Sequence, residues 1–150
     1  MKLKNYRCVL DDGSEKSLKD LSGKRGLVLY FYPKDSTPGC TQEACNFRDA
    51  LPALKKSGYA VVGVSPDSAA SHARFRSKQE LNFPLIADKE RTLIQDLGLW
   101  VEKKLYGRTY MGVARSTFLL DADLKVIKKY DKVNVKEHAA EILADLKELK

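Results

Sequence analysis

Continuous apolar runs constrain the fold of this 150-residue chain more than any other feature. Residues 27–32 and 59–65 carry almost no polar side chains, which is typical of strands covered on both faces of a sheet. Residues 115–120 predict a further apolar strand. Pro33 ends the first run because proline has no backbone N–H for a sheet. The sequence therefore predicts a sheet with a buried centre.

Segments of helical periodicity separate these runs. Residues 40–56 predict an amphipathic helix that starts at Thr37-Pro38 and carries a kink at Pro52. Its apolar positions are three or four residues apart: Ala44, Phe47, Leu51 and Leu54. Further helices are predicted over 69–79, 90–97 and 136–150. The last of these places one apolar face along Ala139, Ile142, Leu143, Leu146 and Leu149.

The remaining segments complete an α/β layout. A hairpin is predicted near the N-terminus, followed by a loop over 19–26, with shorter strands later in the chain at 82–87 and 124–130. The order of elements favours a thioredoxin-like fold, with a mixed central sheet, helices on both faces and an N-terminal hairpin. We expect residues 1–150 to form one domain.

Composition narrows the classes of function. The net charge is +7, from 27 Lys and Arg against 20 Asp and Glu, but the basic residues are spread along the chain and mixed with acids. No basic run or nucleic-acid module appears, so we expect no nucleic-acid partner. The sequence also lacks a secretory signal and a long apolar run, which predicts a cytoplasmic protein without a membrane partner.

Three cysteines limit the thiol chemistry. A disulfide scaffold would need a higher density of cysteines and usually an even number. Neither a Cys-x-x-Cys pair nor a histidine pair at ligand spacing is present, so a zinc site is not expected. Cys8, in the predicted hairpin, is interpreted as a buried structural thiol. His72 and His138 fall in predicted helices among polar neighbours and are interpreted as solvated.

Cys40 stands where a strand gives way to a helix. At a helix N-terminus the unsatisfied backbone N–H groups and the positive end of the dipole favour thiolate over thiol. Cys40 is therefore predicted to be a nucleophile, with Cys45 five residues further on.

The pattern Pro33-x-x-x-Thr37-x-x-Cys40, with Cys45 beyond it, resembles the active-site pattern of the peroxiredoxins. The similarity extends to the segments 61–67, 106–112 and 115–118, and is to the bacterioferritin-comigratory-protein or Q-type subfamily. It implies a peroxidase that reduces hydrogen peroxide and organic hydroperoxides to water and alcohols, without metal or cofactor. Thioredoxin or a similar dithiol is the implied reductant, and a monomer the implied state.

The resemblance also implies a role for each site residue. Cys40 would attack the peroxide, and Arg115 would stabilise both the thiolate and a peroxide oxygen. Thr37 would orient the peroxide, although a role as helix N-cap alone is also open. Pro33 would shape and shield the pocket. Cys45 would resolve the sulfenic acid of Cys40 as a disulfide, although some family members resolve from another helix.

The spacing of Cys40 and Cys45 has a mechanical consequence. On an intact helix, Cα atoms five residues apart are separated by about 8.6 Å, whereas a disulfide requires no more than about 7 Å. If the two cysteines pair, the helix must unwind locally around residues 37–47.

Two other classes of function fit the sequence less well. A thioredoxin-like dithiol oxidoreductase would use Cys-x-x-Cys, and four residues intervene here. A non-catalytic binding module would need none of Pro33, Thr37, Cys40 and Arg115.

Overall fold

The structure is a computed structural model that describes residues 1–149. The strands are β1 (Arg7–Val9), β2 (Glu15–Ser17), β3 (Gly26–Phe31), β4 (Tyr59–Ser65), β5 (Leu85–Ala87), β6 (Trp100–Leu105), β7 (Arg108–Val113), β8 (Ser116–Asp121) and β9 (Val126–Tyr130). The helices are α1 (Leu18–Leu21), α2 (Pro38–Lys56), α3 (Ala69–Gln79), α4 (Thr92–Asp96) and α5 (His138–Glu148).

A five-stranded mixed sheet forms the centre, in the order β5-β4-β3-β8-β9. β3 pairs in parallel with β4 and antiparallel with β8. In the second pairing Phe31 lies opposite Ser116, so Arg115, the residue just before β8, lies beside the end of β3. This register brings two distant segments, one before α2 and one before β8, to the same edge of the sheet.

The two faces of β3 carry separate cores because neighbouring side chains of a strand point to opposite sides. Val28, Tyr30 and Tyr32 pack with apolar residues of α2 and α5 and with Phe75 of α3. Leu27, Leu29 and Phe31 pack on the other face, with residues of β1, α1 and α4. Helices on both faces of a mixed sheet confirm the predicted architecture.

Several predicted boundaries agree with the structure. β4 and α3 have the predicted residues, β3 is shifted by one residue, and β1 and β2 form the N-terminal hairpin. α2 begins at Pro38, as Thr37-Pro38 indicated, with Thr37 in the N-cap position.

Other boundaries were wrong for local reasons. The predicted loop over 19–26 contains most of α1, which Ser17 and Asp20 start with a reciprocal capping box. The strand predicted over 82–87 begins only after Pro84, which cannot donate to a neighbouring strand. The helix predicted from 90 begins at Thr92, because Arg91 adopts a left-handed backbone with φ of 59°.

The C-terminal helix ends earlier than predicted. α5 stops at Glu148, and Leu149 is 48% exposed rather than part of the buried face. Lys150, which the prediction included, lies outside the described residues. Within residues 1–149, no helix combines the length and apolar character needed to cross a bilayer.

Candidate functional site

Cys40 lies in the first turn of α2, at the end of the loop that follows β3. Its side chain is only 2% exposed. The first intrahelical bond, from the N–H of Thr41 to the carbonyl of Thr37, measures 2.8 Å. The N–H groups of Gly39 and Cys40 precede this bond and have no acceptor within the helix. Cys40 is therefore held near the positive end of the helix dipole.

Arg115 contacts the sulfur directly. Its Nη2 lies 3.2 Å from Sγ of Cys40, and its Nη1 lies 2.5 Å from Oε1 of Glu43. Burial alone would lower the pKa of Arg115, but the negative charges of Glu43 and Cys40 raise it above its usual value. The guanidinium is thus a permanent cation shared between a thiol and a carboxylate.

Glu43 is a site residue that the sequence interpretation missed. Its side chain is 1% exposed, and its Oε2 has no hydrogen-bond partner among the described residues. Burial raises the pKa of Glu43 to about 7, although Arg115 acts in the opposite direction. Its position three residues after Cys40, on the same face of α2, was the available signal.

Aromatic rings surround the inner side of the site. Phe47 is fully buried and stacks on Tyr30 with ring centroids 4.6 Å apart, in the same core cluster as Cys40. The hydroxyl of Tyr30 has no partner among residues 1–149. Burial raises the pKa of Tyr30 well above its usual value, and the charges of Glu43 and Cys40 act in the same direction. The phenol is therefore neutral and able to donate.

Cys45 is not bonded to Cys40. All three cysteines are free thiols, and α2 is continuous through both positions. The half-buried Sγ of Cys45 lies 3.6 Å from Oε1 of Gln79, at the end of α3. A disulfide between Cys40 and Cys45 therefore requires a different backbone from the one described.

Thr37 and Pro33 belong to the loop between β3 and α2. Thr37 occupies the N-cap position, but its side chain makes no capping bond. Its hydroxyl donates instead to the carbonyl of Lys34, at 2.9 Å. Pro33 is half-buried at the start of this loop. The structure thus places both residues in the segment that leads into Cys40.

The interpretation of both histidines as solvated was wrong. His72 is fully buried and His138 is 1% exposed. His138 hydrogen-bonds through Nε2 to Oγ1 of Thr117, at 2.7 Å, and His72 contacts Asp35. These partners are distant in sequence, so local polarity did not reveal them. Cys8 is buried, as predicted, and burial raises its pKa to about 12.

Comparison with known proteins gives consistent matches over nearly the whole chain. The model of the AhpC/TSA family matches residues 2–129. Peroxiredoxin Bcp of Bacillus subtilis is 47% identical over 139 residues, which cover 93% of this chain and 88% of that protein. Peroxiredoxin Bcp of Escherichia coli is 43% identical over 137 residues, covering 91% and 87%.

Solved structures also match this chain over nearly its whole length. The bacterioferritin comigratory protein of Xanthomonas campestris superposes with a TM-score of 0.88 at 41% identity, covering 96% of this chain and 91% of that one. PrxQ of Xylella fastidiosa gives a TM-score of 0.92 at 36% identity, covering 99% and 94%. The chain therefore belongs to the AhpC/TSA family, as a thiol-dependent peroxidase of the Bcp or Q type of peroxiredoxin.

Proposed function

We propose that Cys40 is the residue of this peroxidase that attacks the hydroperoxide. Its thiolate attacks one peroxide oxygen, and the O–O bond breaks. The electron pair of that bond leaves with the second oxygen as hydroxide or alkoxide, which takes up a proton to give water or an alcohol. The sulfur is oxidised to sulfenic acid, and the peroxide is reduced.

Arg115 supplies the positive charge for this step. A guanidinium 3.2 Å from the sulfur stabilises the thiolate before attack. The same fork of donors can stabilise the negative charge that develops on the peroxide oxygens. Thr37, whose hydroxyl both donates and accepts, orients the peroxide, and Pro33 limits the access of water to the pocket.

Cys45 resolves the sulfenic acid. Its thiolate attacks the sulfur of Cys40, and the sulfenic oxygen leaves as water after taking up a proton, so that a disulfide forms. Because the two cysteines are five residues apart on one helix, the first turns of α2 unwind during this step. The unwound segment presents the disulfide to a reductant.

The substrates are hydrogen peroxide and organic hydroperoxides, and thioredoxin or a similar dithiol protein recycles the disulfide. The relative from Xanthomonas campestris is described by its alkyl peroxide reduction activity, which supports the organic substrates. A dithiol reductant suits an intramolecular disulfide, since one thiol forms a mixed disulfide and the second releases it.

We also propose that the protein works as a monomer in the cytoplasm, without a nucleic-acid or membrane partner. Both reactive thiols belong to one chain, so no second subunit is needed to close the disulfide. A cycle that ends with two free thiols needs a reducing compartment. Basic residues are mixed with acidic residues along the sequence, which argues against a nucleic-acid partner.

The contact between Arg115 and Cys40 is the observation that supports this function most strongly. The test follows peroxide consumption by the wild-type protein, C40S and C45S, with thioredoxin and its reductase as the electron source. C40S should consume none above background. C45S should consume one equivalent and then stall or depend on direct reduction by an external thiol. Continued turnover by C40S would contradict the proposal.

A further inference from the structure

A buried polar cluster lies behind the loop that carries Thr37. Asp35 is 6% exposed, and its carboxylate faces three donors. The hydroxyl of Tyr32 donates to Oδ1 at 2.6 Å, and the hydroxyl of Ser71 donates to Oδ2 at 2.8 Å. The Nδ1 of His72 lies 2.7 Å from Oδ2. These contacts tie the loop before α2 to the first turns of α3.

His72 is held from both sides of its ring. Its Nε2 lies 2.9 Å from the carbonyl oxygen of Ile86, which only accepts hydrogen bonds, so Nε2 carries a proton. A second proton lies between Nδ1 and the carboxylate of Asp35. Burial would raise the pKa of Asp35, but hydrogen bonds from His72 and Tyr32 lower it below its usual value. Both ring nitrogens of His72 are therefore hydrogen-bonded, with no ring lone pair left for a metal.

The backbone of Asp35 is fixed as well as its side chain. Its N–H donates to Oδ2 of Asp67 at 2.8 Å, and the hydroxyl of Ser65 donates to the same oxygen at 2.6 Å. The next residue, Ser36, adopts a left-handed φ of 63°. A non-glycine residue in this region is held there by its surroundings at some cost in free energy. The turn into Thr37 thus depends on contacts made by Asp35.

These anchors belong to β4, α3 and β5, and not to α2. Asp67 follows β4, Ser71 and His72 are in α3, and Ile86 is in β5. The loop is consequently attached to a part of the protein that does not have to unwind. Cys40 lies only five residues beyond Asp35, so a displacement of this loop moves the sulfur and Thr37 together.

We propose that Asp35 and His72 are positioning residues for peroxide reduction. They hold the segment from Pro33 to Thr37 so that the sulfur of Cys40 and the hydroxyl of Thr37 meet the peroxide in line. They also keep that segment folded when the first turns of α2 unwind, so that the site re-forms after each cycle. This inference rests on the proposed function of Cys40 and adds the residues that fix its geometry.

The test compares two reactions of the same thiol. In Asp35→Ala and His72→Phe, the rate constant for hydrogen peroxide should fall on the order of 10- to 100-fold, because in-line attack depends on position within about 1 Å. Alkylation of Cys40 by iodoacetamide needs only the thiolate and should change little. In Asp35→Asn the amide can donate to Nδ1 of His72, so this variant should keep most of the peroxide rate.

Asp11 offers a matched control one turn further along α3, at Arg76. It is 9% exposed, contacts Arg76 at 3.1 Å and accepts from the N–H of Leu85 at 3.0 Å. Asp11→Ala removes a comparable buried contact of α3 without touching the loop. It should lower the free energy of unfolding and leave the peroxide rate unchanged.

Three outcomes would overturn the proposal. The first is a peroxide rate of folded Asp35→Ala and His72→Phe within twofold of the wild type. The others are an equal loss in the alkylation rate of these variants, or an equal loss of the peroxide rate in Asp11→Ala.

Should Asp35→Ala and His72→Phe not fold, Ser71→Ala removes one donor to Asp35. We then expect the peroxide rate to fall by about fivefold, the effect of losing one hydrogen bond. A peroxide rate equal to that of the wild type would contradict the proposal. If the wild-type thiol itself does not reduce peroxide, the proposed function fails instead.

Discussion

Glu43 fixes the orientation of Arg115. One amino group of the guanidinium contacts the carboxylate, and the other lies 3.2 Å from the sulfur of Cys40. Because the guanidinium is planar and rigid, holding one nitrogen directs the other. Glu43 and Cys40 are on the same helix, one turn apart, so unwinding of this turn separates Arg115 from both partners. Disulfide formation should therefore break the contacts of Arg115 with Cys40 and Glu43.

Replacement of Arg115 by lysine tests the need for a fork of donors. Arg115→Lys keeps the positive charge, but an ammonium cannot hold Glu43 and Cys40 in one planar arrangement. We expect the rate constant for peroxide to fall by about 100-fold, the usual cost of losing one oriented donor. Stopped-flow mixing with hydrogen peroxide measures it. Arg108→Lys, at an exposed position of β7, is the control and should match the wild type.

Glu43 should make stability depend on pH. Its pKa is raised to about 7 in the folded protein, above the value of 4.5 expected when it is exposed. Between these values the folded protein keeps a proton that the unfolded chain releases, so the free energy of unfolding falls as pH rises through this window. The loss is on the order of 2–3 kcal/mol.

Glu43→Gln keeps an acceptor for Arg115 but cannot ionise, so it should lack this part of the pH dependence. Urea unfolding of the reduced proteins from pH 5 to pH 8 provides the comparison. Glu102→Gln, at an exposed position of β6, should behave like the wild type. Parallel curves for wild type and Glu43→Gln would show that Glu43 does not titrate in this window.

The hydroxyl of Thr37 is predicted to matter for catalysis and not for the helix. Its side chain makes no capping bond, so Thr37→Val should leave the stability of α2 nearly unchanged. The peroxide rate should fall by about 100-fold because the hydroxyl that orients the peroxide is lost. Thr37→Ser restores the hydroxyl and should recover most of the rate. Equal rates for the valine and serine variants would remove the hydroxyl from the mechanism.

Hydrogen exchange tests the unwinding of α2. Amides of residues 41–47 should be protected in the reduced protein and exchange much faster in the disulfide form. Residues 49–56 belong to the same helix and pack through Leu51 and Leu54 on the sheet, so they should remain protected in both forms. Equal protection of residues 41–47 in the two forms would contradict the proposed resolution by Cys45.

The elements that could be predicted from the sequence are those whose local residue pattern matches their burial in the structure. β4 and α3 were predicted residue by residue, because an apolar run and a Ser-capped helix carry their own signals. The hairpin β6 and β7 was missed, since most of its side chains are exposed and show no apolar alternation.

The polar part of the site depends on contacts across the chain. Glu43 is buried because Arg115 reaches it from a position 72 residues away. His72 is buried because Asp35, 37 residues earlier, provides a hydrogen-bond partner for its Nδ1. Neither contact can be predicted from the pattern of neighbouring residues in the sequence. The motif around Cys40 could be recognised, whereas the residues that support it required the structure.

The most direct test of the account identifies the atom that peroxide oxidises. The reduced C45S protein is mixed with one equivalent of hydrogen peroxide in the presence of dimedone, which traps sulfenic acid, and its peptides are analysed by mass spectrometry. We expect the adduct on Cys40, with Cys8 unmodified. An adduct on Cys8, with Cys40 unmodified, would contradict it.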